Sequence, residues 1–465
     1  MSNNSRKGKS SSATKAVSSS HTSASSSFSS KIHHIADVDT PTWMNRERTR
    51  ILTFPQGITK PKIPVSEEMK QHSCVYYWMQ RDVRAVDNWA LHYAEFLAQK
   101  YQVPLRVVYT LPPPPSSTLN STAQLKSTNS MPPKVYDMNL THRHGMFLIE
   151  GLKYASKGFA QCYTPLDILF PSSREEVGSC LYHHVCPTTP PESSTELSTS
   201  PRMAIAVICD MSPLRHFCTW TENQALPLLA NASIPLIQVD AHNIIPVWYA
   251  SDKREVGART LRPRIHRHLE PFLTHFPEFT GNQHMVSSSS SSVNIMETLF
   301  STQQDDTFWN RCIDYLALDE SVPLPSHYQA GATSAMKQFT SFCEQGLKVF
   351  DTQRNDPTLS HVCSNLSPWI NYGHVSFQRL ALEIRALKKY PNGTATYLEE
   401  GIVRRELSDN FCFYTQENYD ELSAAAGWAQ ETLRVHASDP REYLYTLEEF
   451  ERGATHDELW NAAQV

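Results

Sequence analysis

The feature that most constrains this chain is an apolar run at 74–79, followed by a helical pattern over 87–100 and a second apolar run at 105–111. Two short buried strands with a helical length between them read as a βαβ unit, since parallel neighbours need a long crossover rather than a tight turn. The pattern resumes with a helix near 140–155 and strands at 166–170, 203–209 and 234–239. Strands rich in Val and Ile, separated by helical lengths, predict a parallel sheet covered on both faces, an α/β domain at 72–250.

Three tracts interrupt that rhythm, at 112–133, 187–201 and 282–294, the last with a run of six serines. Each is too polar or Pro-rich to bury a core, and is expected to be a disordered insertion or linker. Residues 1–71 read as a Ser-rich disordered tail and lead-in, and 251–305 as an interdomain connection ending in the serine linker. From 306 to 465 the texture is helical. Met336, Phe339, Cys343, Leu347 and Phe350 recur at helical spacing, as do Leu398, Ile402, Leu407, Phe411 and Tyr414. An all-α domain is predicted there.

The first 40 residues carry a net charge of +3, which leaves −8 for the remainder of a chain whose formal total is −5. Any nucleic-acid binding must therefore use a local basic face. Such a face is offered at Lys253, Arg254, Arg259, Arg262, Arg264 and Arg267, suited to phosphate contacts, to a link between domains, or to a solvated helix surface. The ten cysteines follow no metal spacing, and Cys74, Cys209 and Cys412 sit in apolar stretches, so they read as reduced core thiols of an intracellular protein. His266 and His268 lack ligand partners at zinc spacing, and no metal is expected. No run reaches the length of a membrane span.

Architecture of this kind hosts many activities. Specific blocks narrow the choice. VYYWMQRDVRAVDNWAL at 75–91, DMSPLR at 210–215, and VDAHNIIPVWYASDKREVGARTLRPRIHR at 239–267 lie in the first half. RNDP at 354–357, SNLSPWINYGHVS at 364–376, EEGIVRRELSDNFCFY at 399–414 and THDELWNAAQ at 455–464 follow in the second. In this order and spacing the blocks resemble class II cyclobutane pyrimidine dimer photolyases, over roughly 72–464.

The resemblance implies a Rossmann-like α/β parallel-sheet domain followed by an all-α FAD-binding domain, the photolyase fold. It implies light-driven repair of dimers in UV-damaged DNA by an electron from reduced FAD, with the damaged dinucleotide flipped into a pocket. An antenna chromophore of unknown identity is expected at the strand ends of the first domain. By the same resemblance Cys363, Ser364, Asn365, Leu366 and Ser367 form the loop that holds the FAD phosphates. A local alternative makes Ser367 a helix cap before Pro368. Phe350 stands where the family has a tyrosine near the flavin, and Arg405 is a further cofactor contact. Glu400 matches the glutamate that hydrogen-bonds the lesion, with Glu399 one register away. Its bland reading is a surface ion pair with Arg404. Arg354 and Arg404 are expected at the DNA. Trp460 resembles the outer tryptophan of an electron-transfer pair, or else serves core packing.

The family continues past the NAAQ block into further flavin-contacting helices, whereas Val465 is the last residue here. The expectation is therefore a C-terminally incomplete helical domain with weak or absent flavin binding. Two rivals accompany the repair reading: a cryptochrome-like flavin photoreceptor, and an inactive photolyase fragment. A monomer in the nucleus is expected, with plastid or mitochondrion as alternative sites.

Overall fold

The computed structural model describes residues 40–53, 63, 67–114, 140–187, 202–285 and 305–464. Of the insertions expected at 112–133 and 187–201, residues 115–133 and 188–201 lie outside the described residues, as does most of the serine linker.

Six strands form one sheet: β1 (Thr49–Thr53), β2 (Ser73–Met79), β3 (Leu105–Thr110), β4 (Leu166–Leu169), β5 (Met203–Asp210) and β6 (Leu236–Val239). Their spatial order is β1-β6-β5-β2-β3-β4. All neighbours are parallel except β1, which pairs antiparallel with β6. β1 corrects the reading of 1–71 as disordered lead-in over its own span, while the Ser-rich tail at 1–39 lies outside the described residues. The strand was hidden because TRILT is short and carries Arg50. Arg50 is nonetheless buried, with Nε donating to Gln238 Oε1 at 2.7 Å and Nη2 paired with Glu222 at 3.1 Å.

Strand periodicity divides β2 between two cores. Val75, Tyr77 and Met79 face one core with helices α1 (Trp89–Tyr101) and α2 (His142–Gln161). Cys74, Tyr76 and Trp78 face another with α3 (Val177–Val185) and Leu229. Burial on both faces explains why β2 reads as a continuous apolar run rather than an alternating one. The Asn88 side chain starts α1 by accepting hydrogen bonds from Ala90 N and Leu91 N at 3.0 and 3.2 Å.

The helical half contains α4 (Ala258–Phe272), α5 (Asp306–Leu316), α6 (Ala332–Gln345), α7 (Phe377–Leu387), α8 (Pro391–Leu398) and α9 (Arg405–Tyr414). Packing moves two of the expected boundaries. Leu261, Ile265 and Phe272 of α4 join the core built from α6 and α7, so α4 is part of the helical domain rather than a connection. Trp309, Cys312 and Leu316 of α5 instead join the α/β core, although α5 lies beyond 306. Asn282, expected in a disordered linker, is fully buried. It bridges the domain by accepting from Leu105 N at 2.7 Å and donating to Leu105 O and Tyr163 O at 2.8 and 2.9 Å. No described helix is long and apolar enough to cross a membrane.

Polar groups hold the sheet to the helical domain. Arg48 is completely buried and donates to the carbonyls of Asp240, Asn243, Ile244 and Phe272 and to Gln378 Oε1, over 2.6–3.3 Å. Burial lowers its pKa to about 10, which still leaves the guanidinium charged at neutral pH. At the carboxyl ends of β2, β5 and β6, Asp82, Asp210 and Asp240 converge. Asp210 accepts from Tyr77 Oη and from the backbone N–H groups of Gln80, Arg81 and Asp82. The helical domain enters this cluster through Asp409, which pairs with Arg81 and accepts from Asn243 Nδ2 at 3.0 Å. Side chains of both domains thus meet at these strand ends.

Candidate functional site

The residues singled out in the second half gather around the turn between α8 and α9. These helices do not join as one regular rod. Glu399–Arg404 forms a widened turn in which Arg405 N–H donates to Glu400 O, five residues back. Such turns are rare, and they re-aim side chains that a regular helix would place elsewhere. Gly401 permits this one: a Cβ there would lie 1.7 Å from Cζ of Phe377, whose ring fills the space.

The turn separates the two adjacent glutamates. Glu399 accepts a forked set of hydrogen bonds from Arg262 of α4, Nε to Oε1 and Oε2 at 3.1 and 3.0 Å and Nη2 to Oε1 at 2.7 Å. Hydrogen bonding to Arg262 holds the Glu399 carboxyl below its ordinary pKa. Glu400 has a different partner, with Oε1 lying 3.6 Å from Arg354 Nη2. The expected surface pair of Glu400 with Arg404 is not formed. Arg404 Nε lies instead 3.7 Å from Glu399 Oε1. Glu400 is thus the carboxylate beside Arg354, and Glu399 the one beside Arg262.

Arg354 also lies over the Phe350 ring, at 5.8 Å from its centroid, and donates to Asp351 O at 2.9 Å. Phe350 is buried and meets Phe342 and Tyr397 edge-on, at 5.5 and 5.7 Å. The helical spacing expected through Phe350 is interrupted: α6 ends at Gln345, and a separate turn, Phe350–Gln353, follows. Gly346 lets the next loop pack closely here, since a Cβ there would approach the carbonyls of His361 and Val362 at 2.6 and 2.7 Å.

Those carbonyls precede the loop of interest. Cys363 Sγ contacts Arg354 O at 3.5 Å, and Ser364 O accepts from Gln338 Nε2 at 3.0 Å. Asn365 adopts a left-handed φ of 54° and donates its side chain to Ser360 O at 3.1 Å. Leu366 is buried and anchors the loop, and Ser367 opens the short helix Ser367–Asn371. Ser367 is the first helical residue, and neither it nor Leu366 supplies a side-chain cap. The capping alternative is therefore not realised. Tyr397 Oη, missed in the sequence, is buried near this loop and makes no hydrogen bond of ordinary geometry. Burial pushes its pKa up, partly offset by the Ser364 hydroxyl. Its position three residues before Glu400 was the available signal.

Other expected residues stand apart. Arg405 belongs to the domain junction: Nε donates to Gly401 O at 2.8 Å, Nη1 to Asn243 Oδ1 at 3.4 Å, and its guanidinium covers the Phe377 ring. Trp460, on Glu458–Gln464, is 48% exposed and meets Phe450 edge-on at 5.3 Å, so the core-packing reading does not hold. In the basic run, Arg262 and Arg264 pair with Glu399 and Glu255, and Arg254 lies over Phe411 at 4.8 Å. These contacts serve the link between elements. A groove of about 700 Å³ lies elsewhere, between the loop after β2 and α6, and is lined by Arg84, Asp87, Tyr154, Lys337, His374 and Arg379. Its Arg379 and Asp87 neutralise each other at 2.6 Å.

No family model matches the chain. It is similar to curated proteins named deoxyribodipyrimidine photo-lyase. Identity to that of Potorous tridactylus is 36% over 398 residues, covering 85% of this chain and 64% of the relative. Identity to that of Oryza sativa subsp. japonica is 33% over 398 residues, covering 84% and 68%. For Methanothermobacter thermautotrophicus it is 33% over 392 residues, covering 84% and 73%. The chain thus spans about two thirds of the length of the curated relatives it matches. Among solved structures, the cryptochrome of Synechocystis sp. PCC6803 superposes with a TM-score of 0.52 at 13% identity, covering 84% of this chain and 70% of that one, which establishes the shared fold. With a sheet domain joined to a helical domain, and relatives at this level over most of its length, the chain belongs to the deoxyribodipyrimidine photo-lyase family.

Proposed function

We propose that this protein splits cyclobutane pyrimidine dimers in DNA with light, using reduced FAD. The observation that carries the reading is the grouping of Glu400, Arg354, Phe350 and Tyr397 beside the loop 363–367, in a chain whose relatives are named photo-lyases. That donor set suits the cofactor. The loop offers serine hydroxyls and a left-handed turn at Asn365, and the buried Tyr397 Oη beside Ser364 makes no hydrogen bond of ordinary geometry.

When bound, reduced FAD supplies a light-driven electron. The chain's own residues do the rest. Ser364, Asn365 and Ser367 hold the phosphates, while Phe350 and Tyr397 give the cofactor an apolar wall. Glu400 hydrogen-bonds the flipped pyrimidines, Arg354 fixes that carboxylate, and Arg404, exposed, meets DNA phosphate. Trp460 belongs to the route by which the cofactor is reduced. The flavin is held weakly, because Asn365 and Ser367 of the phosphate loop face solvent, so FAD is added in the assay.

The test is light-dependent loss of dimers from irradiated DNA by the chain with FAD, preceded by its absorption spectrum. Flavin bands with repair in light and none in darkness support the reading. A chain that binds flavin and leaves dimers intact under illumination overturns it.

A further inference from the structure

The two adjacent carboxylates pose a problem for any site that uses one of them. Glu399 and Glu400 are neighbours in the same widened turn, and DNA is a polyanion. A second free carboxylate would repel phosphate, compete for Arg354 and favour protonation of its neighbour. The structure removes the competitor from one side only. Arg262 reaches from α4 and grips Glu399 with both its Nε and Nη2, the longest of the three hydrogen bonds being 3.1 Å. Arg404 adds a longer contact at 3.7 Å from within the turn itself. Glu400 receives neither cation and keeps its side chain 39% exposed beside Arg354.

We propose that Arg262 is a positioning residue for Glu400: by clamping Glu399 it leaves one carboxylate, beside Arg354, to meet the damaged base pair. This rests on the repair reading above. Arg262 acts through Glu399 and touches neither cofactor nor lesion. A forked guanidinium is needed, because a lysine ammonium holds only one carboxylate oxygen at a time in fixed geometry and leaves the turn freer to rotate.

The experiment is a charge-deletion cycle on the full chain with added FAD, comparing the affinity of dimer-containing duplex with that of the same undamaged duplex. Arg262→Gln is expected to lower this preference about fivefold, because Glu399 then keeps only the longer contact to Arg404 and its charge is less compensated. Adding Glu399→Gln to Arg262→Gln is expected to restore it, and Arg262→Lys to retain part of it. Failure of the double variant to recover, with unfolding midpoints matching the wild type, overturns the proposal and makes Arg262 itself the DNA contact. If the wild type shows no dimer preference, the repair reading fails, and the clamp is then decided by carboxyl NMR. A Glu399 titration that returns to its ordinary range in Arg262→Gln supports it, and one that stays low overturns it.

Discussion

Arg81 and Asp409 stand 328 positions apart and meet as a forked ion pair, Nη1 to Oδ2 at 2.7 Å and Nη2 to Oδ1 at 3.1 Å. Arg81 follows the end of β2, and Asp409 lies on α9, so the pair fastens the sheet to the helix that carries the site turn at its other end. Asp409 is also tied to Asn243, next to Asp240 in the loop after β6. Breaking one partner leaves a buried charge without compensation. Asp409→Ala is expected to cost about 3 kcal/mol or more, read as a lower urea midpoint. The double variant Arg81→Met with Asp409→Leu is expected to recover most of the loss, and a double variant as unstable as the sum of its singles would show that the two residues are not coupled.

Acid lability has a defined source. Burial lowers the pKa of His374 to about 3 and those of His242 and His216 to about 4, from an ordinary 6.5. Unfolding lets each take up a proton that the folded state refuses, so stability falls as pH drops below 6.5. His374 Nδ1 accepts from Gly331 N at 3.3 Å while its ring stacks on Phe147. His374→Asn is expected to lower stability at pH 7 and to reduce the further loss between pH 6.5 and 4, checked by melting temperature across that range.

Glu406 acts on the alkaline side. Burial raises its pKa from 4.5 to about 8, against the pull of Arg405 and of Ile244 N, which donates to Oε1 at 2.6 Å. A raised carboxyl favours folding fully below pH 4.5, and that contribution is lost as pH rises through 8. Glu406→Gln is therefore expected to flatten the decline in stability between about pH 5 and 8. An unchanged slope in the variant would assign that decline to other groups.

Gly401 is sensitive to any side chain. Phe377, which a Cβ would strike, is held between Tyr397 at 5.6 Å and the Arg405 guanidinium at 5.5 Å, so its ring cannot swing away cheaply. Gly401→Ala is expected to destabilise by about 1–3 kcal/mol, with Phe377→Leu in the same chain relieving part of it. Equal midpoints for Gly401→Ala and the wild type would show that the turn adapts.

Ser367 offers the converse, a site change with little structural cost. It faces solvent and supplies no helix cap. Ser367→Ala is expected to weaken FAD binding by about three- to tenfold, the worth of one hydrogen bond, while the melting temperature of the flavin-free chain stays fixed. Flavin titration by fluorescence quenching checks it; an unchanged affinity would remove Ser367 from the phosphate site.

Most of the sheet was legible because β2, β3 and β5 are buried on both faces, and two-sided burial writes itself as an unbroken apolar run. β1 was not, since an edge strand that carries Arg50 buries a cation against Gln238 and Glu222, a pattern that resembles solvent-facing sequence. The site blocks were legible through family resemblance alone. Their geometry was not, because the widened turn at Glu399–Arg404 breaks the helical spacing on which the Glu400–Arg404 pair depended. Arg262 appeared in the sequence only as one cation of a basic run, since its partner lies 137 positions away.

The antiparallel edge strand sets an order on synthesis. β1 emerges from the ribosome first among the described strands, yet its partner β6 follows nearly two hundred residues later, and the Arg48 side chain beside it waits for Gln378. Chains generally fold from the front as they are made. Here the front must wait, because β1 pairs only with β6 in the sheet order and cannot dock before Val239 has been made.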